Sequence, residues 1–154
     1  TGDSRGYLLR SGRLLRQTRD DSFVQVLVDQ GLVTESDAMT HPRRNIITAS
    51  LRGEPSDTVS VTAHTPVAGD RWLLCSDGVS DYLPDDAIGE ILRDVDGQQD
   101  AAETIVAAAL QAGSRDNVTA VVADVAAGVP SAGGVVFAGA ATERFSEDVQ
   151  PIAG

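Results

Sequence analysis

The apolar positions of the chain change period several times, and each change marks an element. Tyr7-Leu8-Leu9-Arg10 and Arg13-Leu14-Leu15-Arg16 flank Ser11-Gly12, the two-residue spacing of a hairpin. Phe23, Val24, Leu27 and Val28 recur at helical spacing, with Gly31 as a stop. Thr34-Glu35-Ser36-Asp37 predicts the cap of a short helix, ended at His41-Pro42 because a residue before proline avoids the helical region. Val59-Ser60-Val61-Thr62 alternates like a strand. A turn at Ala68-Gly69-Asp70 leads into the continuous apolar run 72–75, the pattern of a buried strand that ends in an Asp77-Gly78 turn. Residues 84–95 place Ile88, Ile91, Leu92 and Val95 on one helical face. Asp100 with Glu103 resembles a capping box that opens a helix over 101–112, closed by Gly113. Residues 118–125 predict a last strand.

After residue 125 no period persists. Ala and Gly fill much of 126–154, which predicts a disordered tail or linker behind one domain at 1–125. A chain of 154 residues with 42% hydrophobic content is long enough for that domain to have a core. The formal net charge is −11, which leaves no basic face for nucleic acid or an anionic membrane surface. All twelve basic residues are arginine, a compositional habit that carries little mechanism. The lone Cys75 excludes an internal disulfide and fits a reducing, cytoplasmic setting. No apolar run approaches the ~18 residues of a membrane span, although a tether elsewhere in a longer parent is compatible with this. The chain opens on Thr1-Gly2-Asp3 without an initiator Met, which reads as an internal segment of such a parent.

Three loop aspartates stand beside predicted strands: Asp3 in Gly2-Asp3-Ser4-Arg5, Asp77 in Cys75-Ser76-Asp77-Gly78, and Asp116 in Ser114-Arg115-Asp116-Asn117. Taken singly, each is an ordinary turn or cap residue. Other chemistries fail on spacing. A serine esterase built on Gly2-Asp3-Ser4 needs a late Asp-x-x-His, but Ala38 and Val61 precede His41 and His64 by three positions. A thiolate phosphatase built on Cys75 needs Arg six residues on, where Asp81 stands; Cys75 therefore reads as a small buried hydrophobe. An aspartyl-phosphate motif from Asp77 needs Asp at 79, where Val79 stands. Hard-metal chemistry remains: carboxylates, carbonyls and water suit magnesium or manganese, whereas one Cys and two scattered His give zinc no ligand spacing.

The neighbours of those aspartates carry a resemblance. Gly2-Asp3-Ser4-Arg5, Thr18-Arg19-Asp20, His41-Pro42-Arg43-Arg44-Asn45, Ser76-Asp77-Gly78-Val79-Ser80-Asp81 and Arg115-Asp116-Asn117-Val118-Thr119 stand in the order of the type 2C protein phosphatases, the metal-dependent Ser/Thr phosphatases. The sequence resembles most the bacterial branch that opposes Hanks-type kinases, over roughly residues 1–125. The resemblance implies an α+β fold: an αββα sandwich of two antiparallel sheets flanked by helices, of which this chain holds the C-terminal part. It implies that Asp77 and Asp116 serve a binuclear manganese or magnesium centre, with Gly78 and Asn117 shaping its loops. It implies that Asp3, with Asp77, reaches a third ion, and that about 21–45 form a mobile flap. Phosphoserine and phosphothreonine proteins, Ser/Thr kinases among them, would be hydrolysed by a metal-activated water with no covalent intermediate.

There are departures. Asp21 follows Asp20 where the family often has His, and Ala49-Ser50-Leu51 replaces a common Arg-Ala-Leu. The family's Glu ligand, bridging Asp-Gly-x-Gly-Gly block and phosphate-holding Arg have no counterpart here, so no catalytic residue is identifiable and the chain alone is expected to be inactive. The alternatives are a non-catalytic type 2C-like binding module and a phosphatase of anti-sigma antagonist proteins.

Overall fold

A computed structural model describes residues 1–128; the expected tail lies, from residue 129 on, outside the described residues. In chain order the elements are β1 (Arg5–Arg10), β2 (Arg13–Arg16), α1 (Phe23–Asp29), α2 (Glu35–Thr40), β3 (Arg71–Cys75), α3 (Asp77–Ser80), α4 (Asp85–Asp94), α5 (Gln98–Gln111) and β4 (Ala120–Asp124). The expected hairpin forms, with Arg10 opposite Arg13. Ser11 and Gly12 have φ of 50° and 77°, the left-handed pair whose twist matches the flanking strands.

All four strands pair antiparallel, in the order β2-β1-β3-β4. Register sorts their side chains by face. Tyr7, Leu73 and Val122 lie in one cross-strand row, and Cys75 and Ala120 in the next. These residues pack against Val79, Leu83, Ile88, Leu92, Ile105 and Ala109 from the helices, and this layer is the core. Burying it supplies most of the folding drive, at about 25 cal/mol per Å² of apolar surface.

The opposite face carries Leu15, Trp72, Leu74 and Val121. Leu74 and Val121 remain 58% and 54% exposed. The chain thus builds one sheet with helices on one side, consistent with α+β; a second sheet is absent among the described residues.

Capping follows the local chemistry. Ser22 Oγ accepts from the Gln25 N–H at 3.2 Å and starts α1, while Thr34 Oγ1 accepts from Asp37 N–H at 3.1 Å and starts α2. Helix α2 stops at His41, whose ψ of 135° is the extended conformation that Pro42 demands.

Three expectations are corrected. Residues 59–62 form no strand: Val59 and Val61 are 59% and 87% exposed, because an alternating segment is stable only beside a partner edge. Asp77-Gly78 is the first turn of helix α3 rather than an isolated turn, because Asp77 O and Ser76 O accept the following N–H groups in helical fashion. Helix α5 begins at Gln98, behind Gly97 at φ 77°. The Asp100–Glu103 box therefore lies inside it, and Glu103 accepts from Gln99 Nε2 at 2.6 Å instead.

Candidate metal centre and flap

Strand β3 delivers Asp77 to the end of the sheet, where the chain turns into α3. The loop before β4, which carries Asp116, packs against the Asp77 loop at Asn117. Ser76 clamps the two loops together: its Oγ donates to Asn117 O at 3.0 Å and accepts from Thr119 N–H at 3.1 Å. Ser114 Oγ closes a second link by donating to Gly78 O at 2.9 Å. Gly78 is required by this approach, since a Cβ there would sit 2.5 Å from Asn117 O. The carboxylate of Asp116 accepts from the Asn117 N–H at 2.7 Å, as that of Asp77 does from Gly78 N–H at 2.8 Å. Each aspartate is thereby fixed by its own loop.

Asp3 precedes β1. Burial raises its carboxyl pKa above the usual range; Asp77 adds to the rise, and Asp20 and Asp81 add further, against a lowering by its own backbone. Asp81, one helical turn beyond Asp77, is likewise raised by burial and by Asp77, while Arg44 opposes the rise. Asp3, Asp77 and Asp81 therefore share one field of like charge. Among the described residues, however, no three Asp, Glu, His or Cys side chains converge closely enough to hold one ion. Of the aspartates selected from the sequence, Asp3 and Asp77 are coupled through space, and Asp116 joins Asp77 through the interlocked loops.

Asp81 is the acidic residue that sequence reasoning passed over. Its signal is the i, i+4 spacing from Asp77, which a turn at Asp77-Gly78 conceals and a helix over Asp77–Ser80 reveals. Cys75 is buried under the helices, and its thiol is pushed up to about 11, chiefly by that burial. It is unsuited to nucleophilic work. The two histidines are engaged elsewhere: His41 packs near Phe23 at 6.3 Å, and His64 stands edge-on to Trp72 at 5.2 Å.

Helices α1 and α2 form the segment expected as a flap. Its two ends meet at the sheet, where Phe23 N–H donates to Ile46 O at 2.8 Å and Thr48 N–H donates to Asp21 O at 2.7 Å. Beneath it lies a cleft of about 410 Å³ lined by Asp3, Arg5, Asp20, Arg44 and Asp81, among others. Asp77 and Asp116 are not in its lining, so the cleft flanks the aspartate loops and is a neighbour of the candidate metal centre.

No family model matches the chain. Individual proteins do. The Serine/threonine protein phosphatase PstP of Mycobacterium tuberculosis H37Rv is 48% identical over 124 residues, which is 80% of this chain and 24% of that protein. The Serine/threonine phosphatase stp of Listeria monocytogenes EGD-e is 36% identical over 118 residues, 77% of this chain and 47% of that protein. The crystal structure of the PstP catalytic domain in complex with two manganese ions superposes with a TM-score of 0.72 at 45% identity. It covers 81% of this chain and 51% of that one.

The chain belongs to the type 2C Ser/Thr phosphatase family. It spans half or less of the length of the curated relatives it matches. The loops of Asp3, Asp77 and Asp116 sit at one end of its helix-flanked sheet.

Proposed function

We propose that this chain supplies the C-terminal half of the active site of a phosphoprotein phosphatase that hydrolyses phosphoserine and phosphothreonine with manganese or magnesium. One coincidence carries the reading. The sequence matches PstP at 48% identity, and Asp3, Asp77 and Asp116 sit in loops at one end of the sheet, the Asp77 and Asp116 loops locked together through Ser76 and Ser114. Carboxylates are the donors that a hard divalent cation takes. Asp77 and Asp116 serve the core pair of ions, and Asp3 with Asp77 serves a third, with Asp81 alongside. Gly78 and Asn117 hold the loops at their spacing. When bound, such ions neutralise charge on a phosphoryl group and acidify a water.

The chain's own residues do the positioning. Ser76 and Ser114 keep the loops of Asp77 and Asp116 in register. Arg44 balances Asp81, and the flap covers the cleft through which a phosphorylated side chain reaches the aspartates. Substrates are phosphorylated proteins, Ser/Thr kinases among them, in the cytoplasm. No helix of the described residues is long and apolar enough to cross a membrane.

The test compares the 154-residue chain with the complete catalytic domain on an aryl phosphate and a phosphothreonine peptide, in manganese. The chain alone is expected to give no turnover, because the bridging Asp-Gly-x-Gly-Gly block is not in it. The complete domain is expected to turn over both and to lose both with Asp77→Asn. Robust turnover by the chain alone, or activity that survives Asp77→Asn, overturns the reading.

A further inference from the structure

Asp20 is 5% exposed and lies where β2 hands over to the flap. A carboxylate this buried is costly unless it is paired, and Asp20 is paired twice. Arg5, at the start of β1, donates from Nε at 3.1 Å and from Nη2 at 2.8 Å to Oδ2. Arg16, at the end of β2, donates from Nη2 to Oδ1. The same Arg16 Nη2 reaches Gln25 Oε1 in α1 at 3.3 Å. Arg5 Nη1 reaches the Tyr7 hydroxyl at 3.4 Å, and that hydroxyl donates to Asp85 at the head of α4 at 2.8 Å. One carboxylate therefore ties two strands to the flap helix and, through Arg5 and Tyr7, to the helix layer.

The backbone beside it makes the link to the aspartate loops. Asp21 N–H donates to Gly2 O at 2.7 Å, one residue before Asp3. Asp21 O in turn accepts from Thr48 N–H, just beyond the far end of the flap. The peptide next to Asp20 thus touches both the Asp3 loop and the second leg of the flap.

We infer that Asp20 is a positioning residue: gripped by Arg5 and Arg16, it anchors the base of the flap to the Gly2-Asp3 loop. It touches no reacting group and acts through its arginines. Replacing it with Asn keeps the shape but leaves two partly buried guanidiniums sharing a neutral amide. The base of the flap then loosens while the sheet, whose core lies on other side chains, stays closed.

The anchoring itself does not depend on catalysis; only its consequence for substrate binding rests on the phosphatase reading. Amide exchange on the 154-residue chain tests the anchoring directly. With Asp20→Asn the amides of Asp21, Phe23 and Thr48 are expected to exchange about tenfold faster or more, with the protected amides of β1 and β3 unchanged. Unchanged flap-base amides, or equal acceleration everywhere, overturn the inference. If Asp20→Asn does not fold, Arg16→Gln keeps the Arg5 pair and is expected to give a smaller acceleration at the same three amides; no selectivity there overturns it. In the complete catalytic domain Asp20→Asn is expected to raise KM for a phosphothreonine peptide about fivefold, with kcat on an aryl phosphate within about twofold. Equal losses of kcat on both substrates would reduce Asp20 to a general stability residue.

Discussion

Arg44 Nε donates to Asp81 Oδ2 at 3.0 Å, joining the last stretch of the flap to the residue after α3. The guanidinium also lies over the Tyr82 ring, 5.9 Å from its centroid. Arg44 therefore does two things at once. It ties the segment after α2 to the end of α3, and it cancels part of the negative field that Asp81 shares with Asp77 and Asp3. Arg44→Met separates these effects from simple loss of bulk. The site becomes more negative, so manganese is expected to bind about threefold tighter or better, as removal of a nearby unit charge predicts. The flap loses its tie, so KM for a phosphopeptide rises. Calorimetric manganese titration at low salt checks the first; weaker metal binding in Arg44→Met would contradict the electrostatic account.

Gly78 faces Asn117 so closely that even a methyl group cannot be placed without moving the backbone. Gly78→Ala is expected to push the Asp77 and Asp116 loops apart and to cost about 2 kcal/mol, the usual scale of forced overpacking. Manganese affinity should fall with it, because the two loops then no longer present their carboxylates at a fixed separation. Urea melts of the chain and a metal titration check both. A stable variant with unaltered affinity would show that the loops adjust independently.

Much of this architecture could be read from residue pattern, and the misses have physical causes. The Ser11-Gly12 hairpin, the Thr34 cap and the amphipathic α4 were legible because each rests on local chemistry: left-handed backbone, a side-chain acceptor, one apolar stripe. Residues 59–62 misled because alternation reports a half-buried strand only if a partner edge exists, and none lies beside them among the described residues. The aspartates Asp3 and Asp77 stood out by their loop settings. Asp81 did not, since only the helical turn of α3 brings it round to the same field. The grip of Arg5 and Arg16 on Asp20 was invisible, because it joins residues 15 and 4 positions apart across a strand pair.

The raised carboxyls of Asp3 and Asp81 make a prediction about pH. An acid whose folded pKa lies above its unfolded value, near 3.8, binds its proton more readily in the folded state. Its contribution is most favourable at low pH and is lost as pH rises from the unfolded value through the raised one. In EDTA the chain is therefore expected to lose stability from these two groups as pH climbs from about 3.8, against the gain from paired acids such as Asp124 and Asp29, whose values are lowered by Arg71 and Arg19. Asp3→Asn removes one raised group. It should stabilise the chain in EDTA near neutral pH by under about 1 kcal/mol, since Asp3 is partly exposed and screened. It should also flatten the pH dependence and weaken manganese binding. A destabilised Asp3→Asn with manganese affinity intact would mean that Asp3 serves the fold and not the cation.

The exposed part of the outer sheet face supports a last prediction; Leu8 on that face is covered, but its β3 and β4 end is open. Leu74 and Val121 are cross-strand partners on β3 and β4, both more than half exposed, and Leu15 on β2 is 40% exposed on the same face. Monomeric proteins rarely leave such a row open, because each exposed side chain forgoes about 2 kcal/mol of burial. In the related catalytic domains this chain matches only about half of the length, so a partner layer is available to them. The isolated chain is accordingly expected to bind a hydrophobic dye and to self-associate at micromolar concentration. Leu74→Gln with Val121→Thr should suppress both while leaving the helix-side core and its melting transition in place. In the complete domain the same pair of substitutions should destabilise by about 2 kcal/mol or more, the cost expected if a second layer buries both side chains. If the isolated chain stays monomeric and dye-free, or if the complete domain tolerates both changes without loss, this face does not receive a second layer.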